Sequence, residues 1–138
     1  MRQIPASLRW AVIQRAANRC EYCGLAQTGQ AATFHIDHII PVAAGGATTS
    51  DNLALACVSC SLRKSARQVA VDPQTDADAP IYNPRKERWS EHFRWEDVRI
   101  VGLTPMGRAT VAALQMNRPV ILAIRAEEKV FNRHPPAL

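Results

Sequence analysis

Apolar residues near the N-terminus recur at steps of three and four residues. The apolar side chains of residues 5–19, among them Leu8 and Val12, fall on one side of the segment, with arginines along its edge. This spacing is typical of an amphipathic helix whose apolar face packs against a core. The pattern therefore predicts a helix over residues 5–19, immediately before Cys20.

Two short apolar runs follow, with small residues between them. The stretch 32–36 is rich in β-branched and aromatic residues and predicts a strand, and residues 53–56 predict a second strand. The sequence PVAAGGATTS at residues 41–50 has no helical period and contains two glycines, which favours a loop. Residues 61–69 predict a short basic helix. The expected order is strand, loop, strand and helix.

The acidic stretch DPQTDADAP at residues 72–80 is bounded by prolines and has no periodicity. Such a stretch is typical of a boundary between two parts of a chain. We expect residues 1–70 to form a core that includes the N-terminal helix, and residues 71–80 to form a linker loop. Residues 81–138 are expected to form a mixed helix and strand extension packed on that core.

Capping signals and alternation predict the elements of the extension. Asn-Pro at residues 83–84 and Thr-Pro at residues 104–105 each place a capping residue before a proline, which favours the first turn of a helix. Between them, HFRWEDVRIVGL alternates in a way that predicts a hairpin turning near Asp97. A last helix, rich in isoleucine and leucine, is expected from Pro119. The extension is thus a hairpin plus helices.

Length and charge narrow the class of protein. The 138 residues, 47% of them hydrophobic, fit one compact domain or a small domain with an elaborated tail. Lysine and arginine outnumber aspartate and glutamate by 17 to 12, and the resulting net charge of +5 favours a polyanionic partner. Arginines interrupt the N-terminal segment, and no later run is long enough to span a bilayer. We expect a cytoplasmic protein with no membrane partner.

The four cysteines form two pairs with the same spacing. Cys20 and Cys23 enclose Glu-Tyr, and Cys57 and Cys60 enclose Val-Ser. Two such turns can each offer two thiolates to one structural Zn²⁺, with zinc–sulfur distances of about 2.3 Å. Two disulfides or free core thiols are the alternatives, and a reducing compartment argues against disulfides. The spacing favours zinc.

The stretch HIDHIIP at residues 35–41 concentrates imidazole and carboxylate groups at the end of the first strand. If residues 33–37 are extended, His35 and Asp37 project to the same face, while the following loop can turn His38 differently. Aspartate oxygens and imidazole bind divalent cations, and histidine titrates near neutrality as a general base should. Alternatively, these side chains are hydrogen-bonded residues beside a zinc site, or one histidine is a zinc ligand.

In the order CEYC, HIDHIIP, GG, DNLALAC, CVSC and SLRK, the segment from Cys20 to about Arg67 resembles the HNH endonuclease family in its zinc-stapled form. The remaining chain, especially NPRKERWSEHFRW, resembles the C-terminal extension of some small bacterial HNH proteins. The resemblance implies an α+β protein with a ββα-metal core, in which two strands and a helix cradle one divalent ion. It also implies a DNA endonuclease that uses Mg²⁺ or Mn²⁺.

The resemblance also assigns roles to residues. His38 is the general base, Asp37 is a ligand of the catalytic ion, and Asn52 braces the loop that orients the base. The position after the last cysteine, which usually carries histidine or asparagine as a ligand, is Ser61. A serine hydroxyl is a weaker ligand, so we expect help from water or from His35.

The basic residues after the second cysteine pair are expected to contact the phosphates of double- or single-stranded DNA. They are Arg63, Lys64 and Arg67. Such contacts position the backbone but do not read bases.

We expect a monomer or a weak homodimer. The alternative function is a zinc-stabilised nucleic-acid-binding module whose active site has decayed at Ser61. Trp89 and Trp95 are expected to pack in the core.

Overall fold

The computed structural model describes residues 3–137 as three two-stranded antiparallel sheets with five α-helices and two short 3-10 helices, Val42–Ala44 and Ser50–Asn52. The helices are α1 Ala6–Arg15, α2 Val58–Lys64, α3 Trp89–His92, α4 Pro105–Ala113 and α5 Pro119–Val130. The strands are β1 His35–His38, β2 Leu53–Ala56, β3 Val69–Val71, β4 Asp78–Pro80, β5 Phe93–Glu96 and β6 Arg99–Gly102. This mixture confirms the predicted α+β class.

The first hairpin and the helix after it form a ββα unit. Strand β1 pairs with β2 so that Asp37 lies opposite Ala54 and His38 opposite Leu53. All four residues of β2 are buried, as expected for a strand covered on both faces. Helix α2 packs against both strands. The first strand begins at His35, later than predicted, whereas the second spans the predicted residues.

Helix α2 differs from the predicted helix over residues 61–69. It begins at Val58 because the Cys57 sulfur accepts a hydrogen bond from the Cys60 amide at 3.4 Å and caps the first turn. It ends at Lys64, and Ser65 follows with a φ of 50°. The helix therefore starts within the second cysteine pair, and Val69 belongs to a strand.

Helix α1 is shorter than the predicted helix over residues 5–19. It ends at Arg15, and Ala17 and Asn18 have positive φ values of 53° and 57°, which a right-handed helix excludes. The Arg15 guanidinium donates to the carbonyl oxygen of Leu53 at 2.7 Å. The helix is thereby attached to the start of β2.

Residues 71–80 form part of a β-hairpin, so their prediction as a linker loop is wrong in secondary structure. Strands β3 and β4 pair with Ala70 opposite Ala79. The turn between them is closed by Asp72, which is fully buried and accepts hydrogen bonds from the Gln74 amide and the Arg108 guanidinium. Arg108 lies 36 residues away in sequence, beyond the reach of local patterns. The division into core and extension stays a prediction.

The extension contains most of its predicted elements. Strands β5 and β6 turn at Asp97, which has a φ of 51°, and the last two helices begin at the two predicted prolines. The helix expected at residues 83–84 is absent from the described chain. The Asn83 side chain instead accepts from the Arg85 amide at 2.9 Å and closes a turn.

Glycine allows α4 to pack closely on the preceding segment. A Cβ atom on Gly107 would lie 2.0 Å from the His92 carbonyl oxygen, so only glycine fits there. Thr104 caps the helix by accepting from the Gly107 amide at 3.0 Å.

One hydrophobic core contains residues from both the ββα unit and the extension, including Tyr22 and Phe93. The Trp89 indole donates to the Tyr22 carbonyl oxygen at 2.8 Å and stacks on Trp95 with ring centroids 5.1 Å apart. This agrees with the prediction that the two tryptophans pack in the core. Within residues 3–137, none of the helices is both long enough and apolar enough to cross a membrane.

Candidate active site and metal centre

The four cysteines converge on one buried point. Their sulfur atoms all lie within 4.8 Å of one another, and the Cys23 and Cys57 sulfurs are 3.7 Å apart. Four sulfurs about 2.3 Å from a tetrahedral ion are roughly 3.8 Å from each other. A disulfide would require about 2.05 Å. The cysteines are free thiols, and their arrangement can hold one structural Zn²⁺.

Both cysteine pairs are shaped by local backbone contacts. The Cys23 amide donates to the Cys20 sulfur at 3.5 Å, and Gly24 closes the first turn with a φ of 78°. Hydrogen bonds from the other three thiols, together with burial, raise the pKa of Cys60 well above its usual value. A bound cation favours deprotonation of such a cluster, because the thiolates and the cation neutralise each other's charge.

The predicted ligands of the catalytic ion lie where β1 meets α2. His35 Nδ1 and Ser61 Oγ are hydrogen-bonded at 2.9 Å. His35 is exposed and Ser61 is half-buried, so the pair lies at the surface. Strand β1 supplies the histidine and the second turn of α2 supplies the serine, which brings together residues 26 positions apart.

Asp37 lies two residues after His35 on β1. Its carboxylate does not make all the hydrogen bonds that it could accept. Its Oδ2 atom is buried and has no hydrogen-bond partner among the described residues. The nearest cation, the Lys64 ammonium, lies 3.6 Å away, a Coulombic contact beyond hydrogen-bond distance. Burial raises the pKa of Asp37, whereas Lys64 lowers it. An orphaned buried carboxylate oxygen is a suitable donor for a hard divalent cation.

Lys64 does not face solvent as a DNA-contacting residue would. Its side chain is 2% exposed, and the ammonium donates to the His38 carbonyl oxygen at 3.1 Å. The prediction of a phosphate contact is therefore contradicted for this residue. Lys64 holds the end of β1 against α2, next to Asp37. Local sequence patterns do not predict this contact, because His38 lies 26 residues from Lys64.

The His38 ring is fixed by a residue that sequence reasoning missed. His38 Nε2 and Thr48 Oγ1 lie 3.0 Å apart. Thr48 belongs to the loop between β1 and β2, where the sequence ATTS offered two threonines and no local criterion to choose between them. Only the closed loop brings one of them to the histidine.

Asn52 closes that loop with three hydrogen bonds. Its Oδ1 atom accepts from the Ile40 amide at 2.9 Å, and its Nδ2 atom donates to the carbonyl oxygens of Ile40 and Ala47 at 3.0 and 2.9 Å. A Cβ atom on Gly46 would lie 1.8 Å from the Ile40 carbonyl oxygen, which explains the second glycine of the pair. The asparagine thus braces the segment directly after His38.

The other two predicted DNA-contacting residues differ in exposure. Arg63 is half-buried and donates to Ser59 Oγ at 3.2 Å, whereas Arg67 is exposed just after α2. Their contact with DNA stays a prediction.

The strands, the helix and the thiolate cluster define a ββα unit held by a four-cysteine centre. Residues 20–67 match the family model described as HNH endonuclease, which confirms the recognition made from the sequence. The match covers about a third of the chain, including both cysteine pairs and every candidate site residue. It indicates nuclease activity. No curated protein matches the chain.

Proposed function

We propose that the protein is a metal-dependent endonuclease that hydrolyses DNA phosphodiester bonds. One Mg²⁺ or Mn²⁺ is held at Asp37, with His35 and Ser61 as further ligands, and one Zn²⁺ is held by the four cysteines. The proposal is carried by the buried Asp37 oxygen, which has no hydrogen-bond partner among residues 3–137 and lies two residues along β1 from His35, the hydrogen-bond partner of Ser61. A carboxylate oxygen, an imidazole and a hydroxyl form a donor set that accepts a divalent cation.

His38 acts as the general base in this proposal. When its Nε2 atom carries the proton and donates to Thr48 Oγ1, the Nδ1 atom keeps a lone pair for the attacking water. The Lys64 contact with the His38 carbonyl oxygen and the Asn52 contacts with Ile40 restrict the backbone on both sides of the ring. Thr48, Lys64 and Asn52 are therefore positioning residues.

A divalent ion held by Asp37, His35 and Ser61 would neutralise the charge that develops during phosphodiester cleavage. Water forms a new bond to phosphorus, its proton passes to His38, and the bond to the 3′-oxygen breaks as that oxygen takes a proton from a solvent water. The products carry a 5′-phosphate and a 3′-hydroxyl, as the resemblance implies. Arg67 contacts a neighbouring phosphate without reading sequence.

The second candidate is a zinc-stabilised nucleic-acid-binding module without catalysis. It is favoured by Ser61, a weak ligand, and by the Lys64 ammonium 3.6 Å from Asp37, which supplies positive charge without an ion. In this alternative the protein binds DNA but does not cut it.

Plasmid nicking by purified wild type and His38→Ala, with Mg²⁺ or Mn²⁺, separates the two functions. We expect the wild type to nick and the variant to lose at least about 100-fold in rate, the range of general-base contributions. Zinc content and circular dichroism must be the same in both proteins. If wild type cuts no DNA substrate in any metal but still binds DNA, the binding module is correct.

A further inference from the structure

A cleft of about 280 Å³ opens beside the candidate site, between the ββα unit and the extension. One wall begins at Ile39 and Ile40, the two residues after His38, and continues to Arg67. The opposite wall comes from the extension and includes Tyr82 and Lys86. The cleft therefore starts one residue from the proposed base, and the extension completes it.

The rim of the cleft carries unpaired positive charge. Arg67 and Lys86 are both exposed, and neither has a carboxylate within 4.0 Å among residues 3–137. Glu87 also lines the cleft and is hydrogen-bonded to His92 Nε2 at 3.1 Å, so its single negative charge is outnumbered by Arg67 and Lys86. Two free cations at one opening are complementary to a phosphate.

The interior of the cleft is mostly apolar. Ile39 and Tyr82 are buried at its base, and Met106 is half-buried there. Apolar side chains of this kind can pack against a sugar or against any nucleobase, so the contact does not depend on base identity. The volume is near the lower end of small-molecule sites, which begin at about 300 Å³, so one nucleotide fits and a duplex does not.

We propose that this cleft binds one unpaired nucleotide of the DNA strand adjacent to the scissile phosphate. Its phosphate lies at Arg67 and Lys86, and its base lies against Ile40 and Met106. The inference rests on the proposed nuclease function and makes single-stranded or gapped DNA the preferred substrate class. It also gives the extension a role in substrate binding.

Fluorescence anisotropy with a labelled single strand and the matching duplex tests the cleft in a His38→Ala background. We expect the single strand to bind at least fivefold more tightly. Arg67→Ala with Lys86→Ala should abolish this preference, whereas Arg9→Ala with Arg99→Ala, which removes equal charge from exposed residues outside the cleft, should weaken both ligands equally. This binding assay does not depend on cleavage. If the wild type does not nick DNA but the preference for single strands is present, only the nuclease function is rejected.

Equal binding of single strand and duplex would overturn the cleft proposal. So would an equal loss of single-strand preference in the control pair.

Arg125 in α5 is a buried cation. The side chain is 1% exposed, and its guanidinium donates to the carbonyl oxygens of Val98 and Met116 at 2.8 and 2.7 Å. Its Nε atom is buried with no hydrogen-bond partner, and no carboxylate lies within 4.0 Å of it among residues 3–137. Such a group costs stability unless negative charge is nearby.

The cysteine cluster supplies that negative charge. Arg125 and Cys23 line the same small void. Four thiolates around Zn²⁺ carry a net charge of about −2. We infer that Arg125 is a positioning residue of this centre, compensating the thiolate charge and docking α5 of the extension onto it.

Zinc release from the whole protein to a chromogenic chelator tests this role. We expect Arg125→Met to release zinc at least about tenfold faster, as loss of a residue supporting metal ligands does. Arg125→Lys, which keeps the charge, should release it at close to the wild-type rate. If Arg125→Met does not fold, Arg125→Gln takes its place. Wild-type release from the folded neutral variant, or equal defects in the lysine and neutral variants, would overturn the charge role.

Discussion

Asp37 and Asp72 are two poorly exposed carboxylates in very different environments. Asp72 accepts hydrogen bonds from Gln74, Thr75 and the Arg108 guanidinium, and these lower its pKa to about 2, with Arg108 the main cause. Asp37 has a buried oxygen with no hydrogen bond, and burial raises its pKa. A fully satisfied carboxylate stabilises the fold, whereas an unsatisfied one is suited to receive a ligand. The variants below test this contrast.

Asp37→Asn should produce the largest loss of activity. The nicking rate is expected to fall at least about 100-fold, because a neutral amide oxygen is a weaker ligand for the catalytic ion than a charged carboxylate. Melting temperature should change less than in the Asp72 variant below, because the cost of burying Asp37 offsets its attraction to Lys64, as the raised pKa of Asp37 indicates. Retention of the wild-type nicking rate would show that Asp37 holds no catalytic ion.

Asp72→Asn should show the opposite pattern. The melting temperature is expected to fall by roughly 10 °C, because the Arg108 guanidinium loses its charged partner and the turn between β3 and β4 loosens. The nicking rate of the folded fraction should stay within about twofold of wild type. Loss of a general acid or base would lower the rate by about 100-fold or more. A fall in rate as large as that of Asp37→Asn would remove the contrast between the two carboxylates.

The contribution of Asp72 should depend on pH in one direction. Its folded pKa of about 2 lies below the usual value of about 3.9, so its stabilisation is complete above the unfolded pKa and is lost as pH falls through the folded value. The difference in melting temperature between wild type and Asp72→Asn is expected to be constant from pH 8 to about pH 5 and to shrink below it. Only samples with full zinc content should be compared, and a growing difference in acid would contradict the assignment.

Ser61→Asn should have the smallest effect, and a favourable one. A carboxamide oxygen is a better ligand than a hydroxyl, so nicking is expected to equal or exceed the wild-type rate by up to several-fold. Ser61→Ala serves as the control, since it removes the hydroxyl bonded to His35 Nδ1 without adding a ligand. Faster nicking by the alanine variant than by the asparagine variant would exclude position 61 from the ion site.

The sequence predicted features that depend on local spacing. The two cysteine pairs, strand β2 and the hairpin at Asp97 are each determined by neighbouring residues, so periodicity and turn residues were sufficient. The hairpin formed by β3 and β4 was missed because Asp72 is held by Arg108, 36 residues away. Tertiary contacts of this range leave no periodic signal.

The sequence indicated which residues form the candidate site but not which residues they contact. The family resemblance identified His38, Asp37 and Asn52, and the structure adds how they are held. Thr48 reaches His38 only when the loop is closed, and Lys64 turns inward only because the His38 carbonyl oxygen is available to it. A basic side chain on a helix gives no local indication of which way it will face.

Manganese binding to the zinc-loaded protein, measured by electron paramagnetic resonance, tests the central claim most directly. Wild type and Asp72→Asn should each bind one Mn²⁺ per chain, and Asp37→Asn should bind it at least about tenfold more weakly. Equal Mn²⁺ affinity in wild type and Asp37→Asn, or no binding by wild type, would contradict the assignment of Asp37 as the ligand of a catalytic ion.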